Sequence, residues 1–187
     1  MARSSGILEA AWQLLSERAY AGWTLADLAH RAGVSRRTLY LHFSSKEEIA
    51  AETVARNMAR TAEHIRTMEP GAAPLIRLKS VLRWFVARDS DPNAIPVEPI
   101  KAEPGLMATV RTFPSYLAAY ALLVEALAEV IEAAQRAGSL TPQPSPSTLA
   151  KLLLQLLRGV DPSHWHESVP MADVLLDVLL KGLGGRQ

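Results

Sequence analysis

The 187-residue sequence contains no cysteine. Disulfides, thiolate metal sites and cysteine nucleophiles are therefore excluded, and the absence fits a reducing cytoplasm. The formal net charge is only +1 at pH 7, so the chain is not a general polycation. Apolar residues make up 49% of the chain, which is enough for a sizeable core and argues against disorder.

The sequence also predicts no targeting or membrane-spanning segment. The first twenty residues have no long apolar core and carry Glu9 and Glu17, so we do not expect a signal peptide. The most apolar long run, residues 116–134, is interrupted by glutamates and should not span a bilayer. We expect a cytoplasmic protein with no membrane partner.

The chain has little that resembles an active site. No Ser/His/Asp set, carboxylate–histidine metal motif or phosphate-cradling glycine loop is present, which argues against an enzyme built on a helical bundle. His164 and His166 lie beside Glu167, but these residues alone do not make a set of three or four metal ligands. We therefore expect no catalytic residues, no metal and no cofactor.

No strand pattern appears, and apolar residues recur at helical spacing through most of the chain. After a first helix, the sequence predicts helices from Thr24 to about Arg31, from Ser35 to about Phe43, and from Ser45 to about Met68. Thr24, Ser35 and Ser45 are typical N-cap residues, and Gly33 suits a left-handed turn between the two short helices. Two short helices joined so tightly predict a helix-turn-helix.

Four further helices are predicted, at about 74–88, 114–137, 147–159 and 170–183. Residues 89–105 hold several prolines and are predicted to be mostly loop, and 141–146 form a proline-rich linker. The expected fold is all-α. A helix-turn-helix module of three helices covers residues 1–50, with a connecting helix to about 68, and a helical domain covers 69–187.

A local basic window coincides with the helix-turn-helix. Residues 28–46 contain no acidic side chain, although Arg31, Arg36, Arg37 and Lys46 lie among them. In a nearly neutral protein this cluster of cations predicts a small binding surface for an anionic partner. The alternative is a solvated charged face without a partner.

Arg36 and Arg37 stand in the first turn of a short helix, where each cation costs about 0.3–1 kcal/mol against the helix dipole. Helical spacing turns Leu39 and Phe43 towards the core. The outer side then carries Arg36, Arg37, Tyr40 and Leu41. Arginine offers a bidentate fork to guanine, worth about 1–3 kcal/mol of discrimination, which outweighs the dipole cost when DNA is bound.

Neighbouring polar side chains can set the register on DNA. Thr24 can offer its hydroxyl and the helix N–H groups to a phosphate, and Tyr40, His42 and Lys46 can reach other phosphates. The alternative for Tyr40 and His42 is packing on the surface of the module.

The run TLADLAHRAGVSRRTLYLHFSSKEEI, from Thr24 to Ile49, closely resembles the DNA-binding domain of the TetR family of transcriptional regulators. The family pattern is T-x-x-x-I-A-x-x-A-G-V-S-x-G-T-L-Y-x-H-F-x-S-K-E-x-L, and Leu28 takes the isoleucine place. Outright matches include Ala29, Ala32, Gly33, Val34, Ser35, Thr38, Leu39, Tyr40, His42, Phe43, Ser45, Lys46 and Glu47. Arg37 departs from the pattern, since the family usually has a small residue there, and Arg36 occupies a variable position.

Residues and resemblance together assign DNA binding to Thr24, Ser35, Arg36, Arg37, Thr38, Tyr40, His42 and Lys46. The resemblance implies a ligand-responsive regulator, most simply a repressor, which binds a near-palindromic operator as a homodimer and is released by a small, largely apolar effector. The alternative is a helix-turn-helix activator, or a DNA-binding interaction module without an effector.

The resemblance also implies a C-terminal domain that binds a ligand and dimerises, usually through its last two long helices. The predicted interface comprises Leu149, Leu153, Leu156, Val174, Leu175, Val178 and Leu179. An ordinary intramolecular core is the alternative for these residues. The candidate ligand pocket comprises Trp84, Phe85, Met107, Phe113, Tyr116, Tyr120 and Trp165, and plain core or surface positions are the alternative.

Overall fold

The computed structural model describes residues 2–87 and 104–158, together with Asp177, Lys181 and Gly182. All regular secondary structure in these residues is helical, so the predicted all-α fold is confirmed. The elements are α1 (Ala2–Glu17), a 3₁₀ turn (Tyr20–Gly22), α2 (Leu25–Arg31), α3 (Arg36–His42), α4 (Lys46–Thr67), α5 (Pro74–Ala87), α6 (Pro104–Val110), α7 (Pro114–Arg136) and α8 (Pro146–Arg158).

The predicted helix boundaries agree closely with the observed ones, because local signals define most of them. The helices α5, α6, α7 and α8 each begin at a proline, whose fixed φ angle and missing N–H suit the first helical position. Helix α7 is followed by Gly138, at a φ of +71°. Helix α6 was not predicted as a separate element. Most of the predicted loop at 89–105, the histidines His164 and His166, and most of the predicted helix at 170–183 lie outside the described residues.

The chain divides into two compact units. The first comprises Met1–Ala59 and Pro96–Ala121, and the second comprises Arg60–Ile95 and Leu122–Gln187. This division by packing differs from the predicted functional division into residues 1–50 and 69–187, which stays a prediction.

In the first unit, α1 packs against α2 and α2 packs against α3. Helix α1 contributes a buried stripe that includes Ile7, Ala11 and Leu14, as its helical spacing predicts. Trp23 follows the 3₁₀ turn and is only 2% exposed. The three helices therefore share one core, which holds α2 and α3 in place.

In the second unit, α5, α7 and α8 supply most of the buried apolar side chains. Leu82 on α5, Leu127 on α7 and Leu153 on α8 are all buried. Each buried side chain of this size contributes about 1.5–3 kcal/mol relative to an exposed one. The linker between α7 and α8 is held by Gln135 of α7. Its side-chain amide donates to the carbonyl groups of Thr141 (2.7 Å) and Pro144 (3.0 Å) in the linker.

The end of α4 is capped by a side chain from α5. Arg77 donates through Nε to the carbonyl oxygen of Met68 at 3.0 Å, and through one terminal nitrogen to those of Arg66 at 2.9 Å and Ile65 at 3.2 Å. These carbonyls have no partner within the helix, and the negative end of the helix dipole favours a cation there. Arg77 thus joins α4 to α5.

Within the described part of the chain, no helix combines the length and the apolar character needed to cross a membrane.

We predict that Arg77→Met lowers the free energy of unfolding by about 1–3 kcal/mol, since it leaves carbonyl groups at the end of α4 without a charged donor. Chemical denaturation measures the change. Lys79→Met, which removes a cation from the same helix, is the matched control and should stay within about 0.5 kcal/mol of the wild type. Equal losses in the two variants would show that the cap does not stabilise the fold.

Candidate nucleic-acid interface

Helix α2 begins with a reciprocal cap between Thr24 and Asp27. The Asp27 N–H donates to the Thr24 hydroxyl oxygen at 3.2 Å, and the Asp27 carboxylate accepts from the Thr24 N–H at 2.7 Å and from its hydroxyl at 2.8 Å. The backbone and hydroxyl donors of Thr24 hold the pKa of Asp27 below its ordinary value of 3.8. The Thr24 hydroxyl proton is therefore engaged by a neighbouring carboxylate, and its predicted contact with a phosphate stays a prediction.

The turn between α2 and α3 has the geometry of a helix-turn-helix. Gly33 has a φ of +64°, in the left-handed region that disfavours residues with a Cβ atom. The Val34 N–H donates to the Ala29 carbonyl at 3.0 Å, and Ala29 itself is buried. The small side chain of Ala29 and the left-handed glycine allow α3 to start immediately after α2.

Helix α3 is capped by Ser35. The Ser35 hydroxyl accepts from the Thr38 N–H at 3.0 Å, and the hydroxyl oxygens of the two residues lie 2.8 Å apart. Both residues belong to the predicted DNA-binding set. In the free protein their hydroxyl groups bond to each other and stabilise the first turn of α3.

Leu39 determines which face of α3 points outwards. It is 1% exposed, and Phe43 after the helix is also buried. With about 100° between successive residues, Arg37 and Leu41 each lie about 160° from Leu39 around the helix axis. These two residues therefore occupy the middle of the outer face, whereas Tyr40 and Arg36 lie about 100° and 60° from Leu39, on one flank of the helix.

The outer face of α3 is exposed and cationic. Arg36, Arg37, Tyr40, Leu41 and His42 are all exposed. Neither arginine forms an ion pair or hydrogen bond with any other residue that the structure describes. The His42 ring contacts that of Phe43, with 6.3 Å between centroids, so part of its surface packs on the module. The structure thus presents two guanidinium groups with unused donors on one side of a short helix.

Two other cations of the basic window are engaged within the protein. Arg31 forms an ion pair of 2.6 Å with Glu17, which joins α2 to α1, and the hydrogen bond that Arg31 donates to this carboxylate raises the pKa of Arg31. The Lys46 ammonium donates to the carbonyl oxygens of Tyr20 and Trp23, at 2.6 Å in the case of Trp23. The uncompensated charge of the window is therefore concentrated on α3.

Lys46 has a structural function that the sequence reading missed. Its Nζ atom lies 4.0 Å from the centroid of the Tyr20 ring and 4.1 Å from that of the Trp23 ring. The Tyr20 hydroxyl donates to Glu47 at 2.8 Å. The start of α4 thus holds the turn between α1 and α2, and Lys46 is less available to a phosphate than its position in the motif implies. In the sequence, only the aromatic residues Tyr20 and Trp23, between the first two predicted helices, could have signalled this contact.

The residues of the candidate interface between subunits differ in their exposure within the single chain. Leu149 and Leu153 are each 3% exposed. Leu156 is exposed, as is Leu152 one turn earlier on the same side of α8. Helix α8 is apolar on both sides, and the part of these residues in an interface between subunits stays a prediction. Val174, Leu175, Val178 and Leu179 lie outside the described residues.

The candidate pocket residues fall into two groups. In the second unit, Trp84 packs edge-on against Phe85, with ring centroids 5.1 Å apart, and lies 4.8 Å from the ring of His64. The first unit contains a stacked pair formed by Tyr116 and Tyr120, with centroids 6.3 Å apart. It also contains Met107, which is buried, and Phe113, which is half-buried, whereas Trp165 lies outside the described residues. Ligand binding by these residues stays a prediction.

Residues 7–53 match the model of a family described as bacterial regulatory proteins, tetR family. This segment contains α1, the 3₁₀ turn, α2, α3 and the start of α4. A search of curated proteins finds no match. The resemblance predicted from the sequence is therefore confirmed in the part of the chain that carries the candidate interface.

The fold of the whole chain is similar to those of solved structures that include transcriptional regulators. The reduced form of Escherichia coli NemR is 17% identical, with a TM-score of 0.76 and 99% of each chain covered. The TetR transcriptional regulator SCO0520 of Streptomyces coelicolor is 22% identical, with a TM-score of 0.61 over 98% of this chain and 99% of that one. The regulator FadR of Bacillus subtilis, solved with stearoyl-CoA, is 18% identical, with a TM-score of 0.68 over 96% of this chain and 98% of that one.

The carboxylates at the helix caps predict an acid-dependent loss of stability. The donors of Thr24 lower the pKa of Asp27, and the Ser44 hydroxyl and N–H lower that of Glu48 below its ordinary value of 4.5. The stability that these groups contribute is present above their ordinary pKa values and is lost as the pH falls through their lower folded-state values.

Asp27→Asn should therefore reduce the loss of unfolding free energy between neutral pH and about pH 3, because this variant has no carboxylate to protonate at the cap. Chemical unfolding across this range measures the effect. The control Glu63→Gln removes an exposed carboxylate elsewhere and should keep the wild-type acid dependence. A profile for Asp27→Asn that coincides with the wild type would contradict the assignment.

Proposed function

We propose that this chain is a ligand-responsive transcriptional regulator of the TetR type, which inserts α3 into the major groove of a near-palindromic operator. The observation that carries the proposal is the outer face of α3, where Arg36 and Arg37 are exposed and unpaired among the described residues. The helix-turn-helix geometry around Gly33 and the family match over residues 7–53 support it.

Arginine suits base reading because its planar fork donates two parallel hydrogen bonds to guanine O6 and N7. Arg37 lies at the middle of the outer face and is the better placed of the two for this contact. The dipole cost of two cations at the start of α3 falls when anionic DNA approaches. Tyr40 and His42 are exposed beside the arginines and are proposed to contact phosphates, which position the helix without reading sequence.

The remaining residues of the predicted DNA-binding set position the arginines or have a limited part in phosphate contact. Ser35 and Thr38 hold the first turn of α3, so they position Arg36 and Arg37. Thr24 and Lys46 form hydrogen bonds within the module. In the proposal, each contacts a phosphate only through the hydrogen-bonding groups that these internal bonds leave unused.

We further propose that two copies associate through the outer side of α8, centred on Leu152 and Leu156. These side chains are 52% and 55% exposed in the single chain and lie one turn apart. Covering this apolar strip with a partner removes it from water, which favours association. A two-fold axis would then present two α3 helices to half-sites about 34–36 Å apart. A homodimer would in this way read a near-palindromic sequence.

Release from DNA is proposed to follow the binding of a small, largely apolar effector in the helical body, in the cytoplasm. The similar fold of FadR, solved with stearoyl-CoA, supports an effector site in this architecture. Helix α4 runs without a break from Lys46 to Thr67 and contributes to both compact units. An effector whose binding lowers the affinity of α3 for the operator would make the protein a repressor, and this coupling of two binding sites is part of the proposal.

Selection of bound sequences from random duplex DNA, at two salt concentrations, tests the proposed function. We expect a near-palindromic consensus, with weaker binding at the higher salt because the cationic side chains on α3 displace counterions from the DNA. Enrichment of no sequence would contradict DNA-specific regulation. A consensus without two-fold symmetry would support the alternative, an activator or interaction module that binds DNA without the proposed dimer.

Arg37→Gly should change or relax the base preference at one position of each half-site. Its stability should be unchanged or lower by up to about 1 kcal/mol, since glycine is the poorer helix former. Arg37→Lys is the matched control. It keeps the charge and the salt dependence but loses the bidentate fork, so it should lose guanine preference with little loss of non-specific affinity. Unchanged specificity in both variants would mean that Arg37 contacts only phosphate or solvent.

The double variant Leu152→Glu/Leu156→Glu should sediment as a monomer, because it places two carboxylates on the strip that the partner covers. Leu117→Glu, which places a carboxylate at an exposed leucine of α7, is the control and is expected to remain dimeric. Dimers of unchanged stability in the double variant would place the interface on another surface.

A further inference from the structure

Leu41 is 74% exposed, which is the largest exposure of any large apolar side chain in the described residues. Its neighbours on the outer face of α3 are polar or charged, namely Arg37 on the preceding turn and Tyr40 and His42 in sequence. An apolar side chain at this position contributes nothing to the core of the module, whose anchor on α3 is Leu39. The phosphate and guanine contacts proposed above do not use it either.

We propose that Leu41 contacts the C5-methyl group of a thymine in the major groove and is a specificity-determining residue of this protein. The inference rests on the proposed function, because it assumes that α3 enters the groove. It adds a second side chain that reads a base, and this side chain is apolar whereas Arg37 is cationic.

The position of Leu41 around the helix supports the contact. Arg37 and Leu41 are four residues apart, so their Cβ atoms are about 5–6 Å apart on one stripe of the helix. The two residues straddle the direction opposite to Leu39, which is the direction that faces the groove floor when α3 docks. Since base pairs are stacked about 3.4 Å apart, the two side chains can reach positions one or two base pairs from each other.

The chemistry of the leucine side chain selects the base. Leucine has no hydrogen-bond donor or acceptor, so an adenine, guanine or cytosine edge beneath it would lose water without gaining a partner. Thymine is the only standard base with an apolar group in the major groove. Burial of this methyl group against Leu41 removes apolar surface of both partners from water, which is favourable. Each half-site should therefore contain a guanine and a thymine within one or two base pairs of each other.

Single replacement of each operator thymine by deoxyuridine tests the inference, since deoxyuridine lacks only the C5-methyl group. With the wild-type chain and its selected duplex, measured by fluorescence anisotropy, replacement of one thymine in a half-site should weaken binding about fourfold, the change expected for one buried methyl group. In Leu41→Ala the same replacement should have no measurable effect. The conservative variant Leu41→Met should retain the penalty.

The outcomes separate this inference from the proposed function. If the wild type selects a near-palindromic duplex but no uracil weakens its binding, the methyl contact is overturned and the proposed function stands. A uracil penalty of equal size in the wild type and Leu41→Ala would also overturn it, because another side chain would then contact the methyl group. Failure to select any duplex would overturn both proposals.

Discussion

The burial of Leu39 is the contact on which the candidate interface depends. Helix α3 has seven residues, and isolated helices this short are not stable in water. Its existence therefore rests on the Ser35 cap and on the packing of Leu39 and Phe43 against the rest of the module. The same contact sets the rotation of α3 about its axis. Because Leu39 points inwards, Arg37 and Leu41 point outwards.

The electrostatics of the first unit follow from how its charges are paired. Glu17 is bonded to Arg31, Glu47 to Tyr20 and Glu48 to Ser44, so these carboxylates stabilise the helices and their ends. Lys46 is directed towards two carbonyl groups and two aromatic rings. Arg36 and Arg37 are left without such partners among the described residues. A chain with a net charge of only +1 can thus carry a local surface suited to an anionic polymer.

The sequence predicted the parts of the structure that depend on neighbouring residues. The caps at Thr24, Ser35 and Ser45, and the left-handed turn at Gly33, were recognisable because the interacting groups lie within a few positions of each other. Contacts between distant segments were not recognisable from the sequence. The position of Lys46 between Tyr20 and Trp23 depends on how α4 packs beside the first turn. Likewise, the periodicity of α8 shows two apolar sides, and only the packing of its unit decides that Leu149 and Leu153 are buried while Leu156 is exposed.

If α3 reads the major groove through its arginines, methylation of guanines in the selected operator should interfere with binding. Methyl groups on guanine N7 project into the major groove, whereas those on adenine N3 project into the minor groove. Duplexes methylated at a guanine N7 in either half-site should be depleted from the bound fraction, in a two-fold symmetric pattern. Interference confined to adenine N3, or no interference within the half-sites, would contradict it.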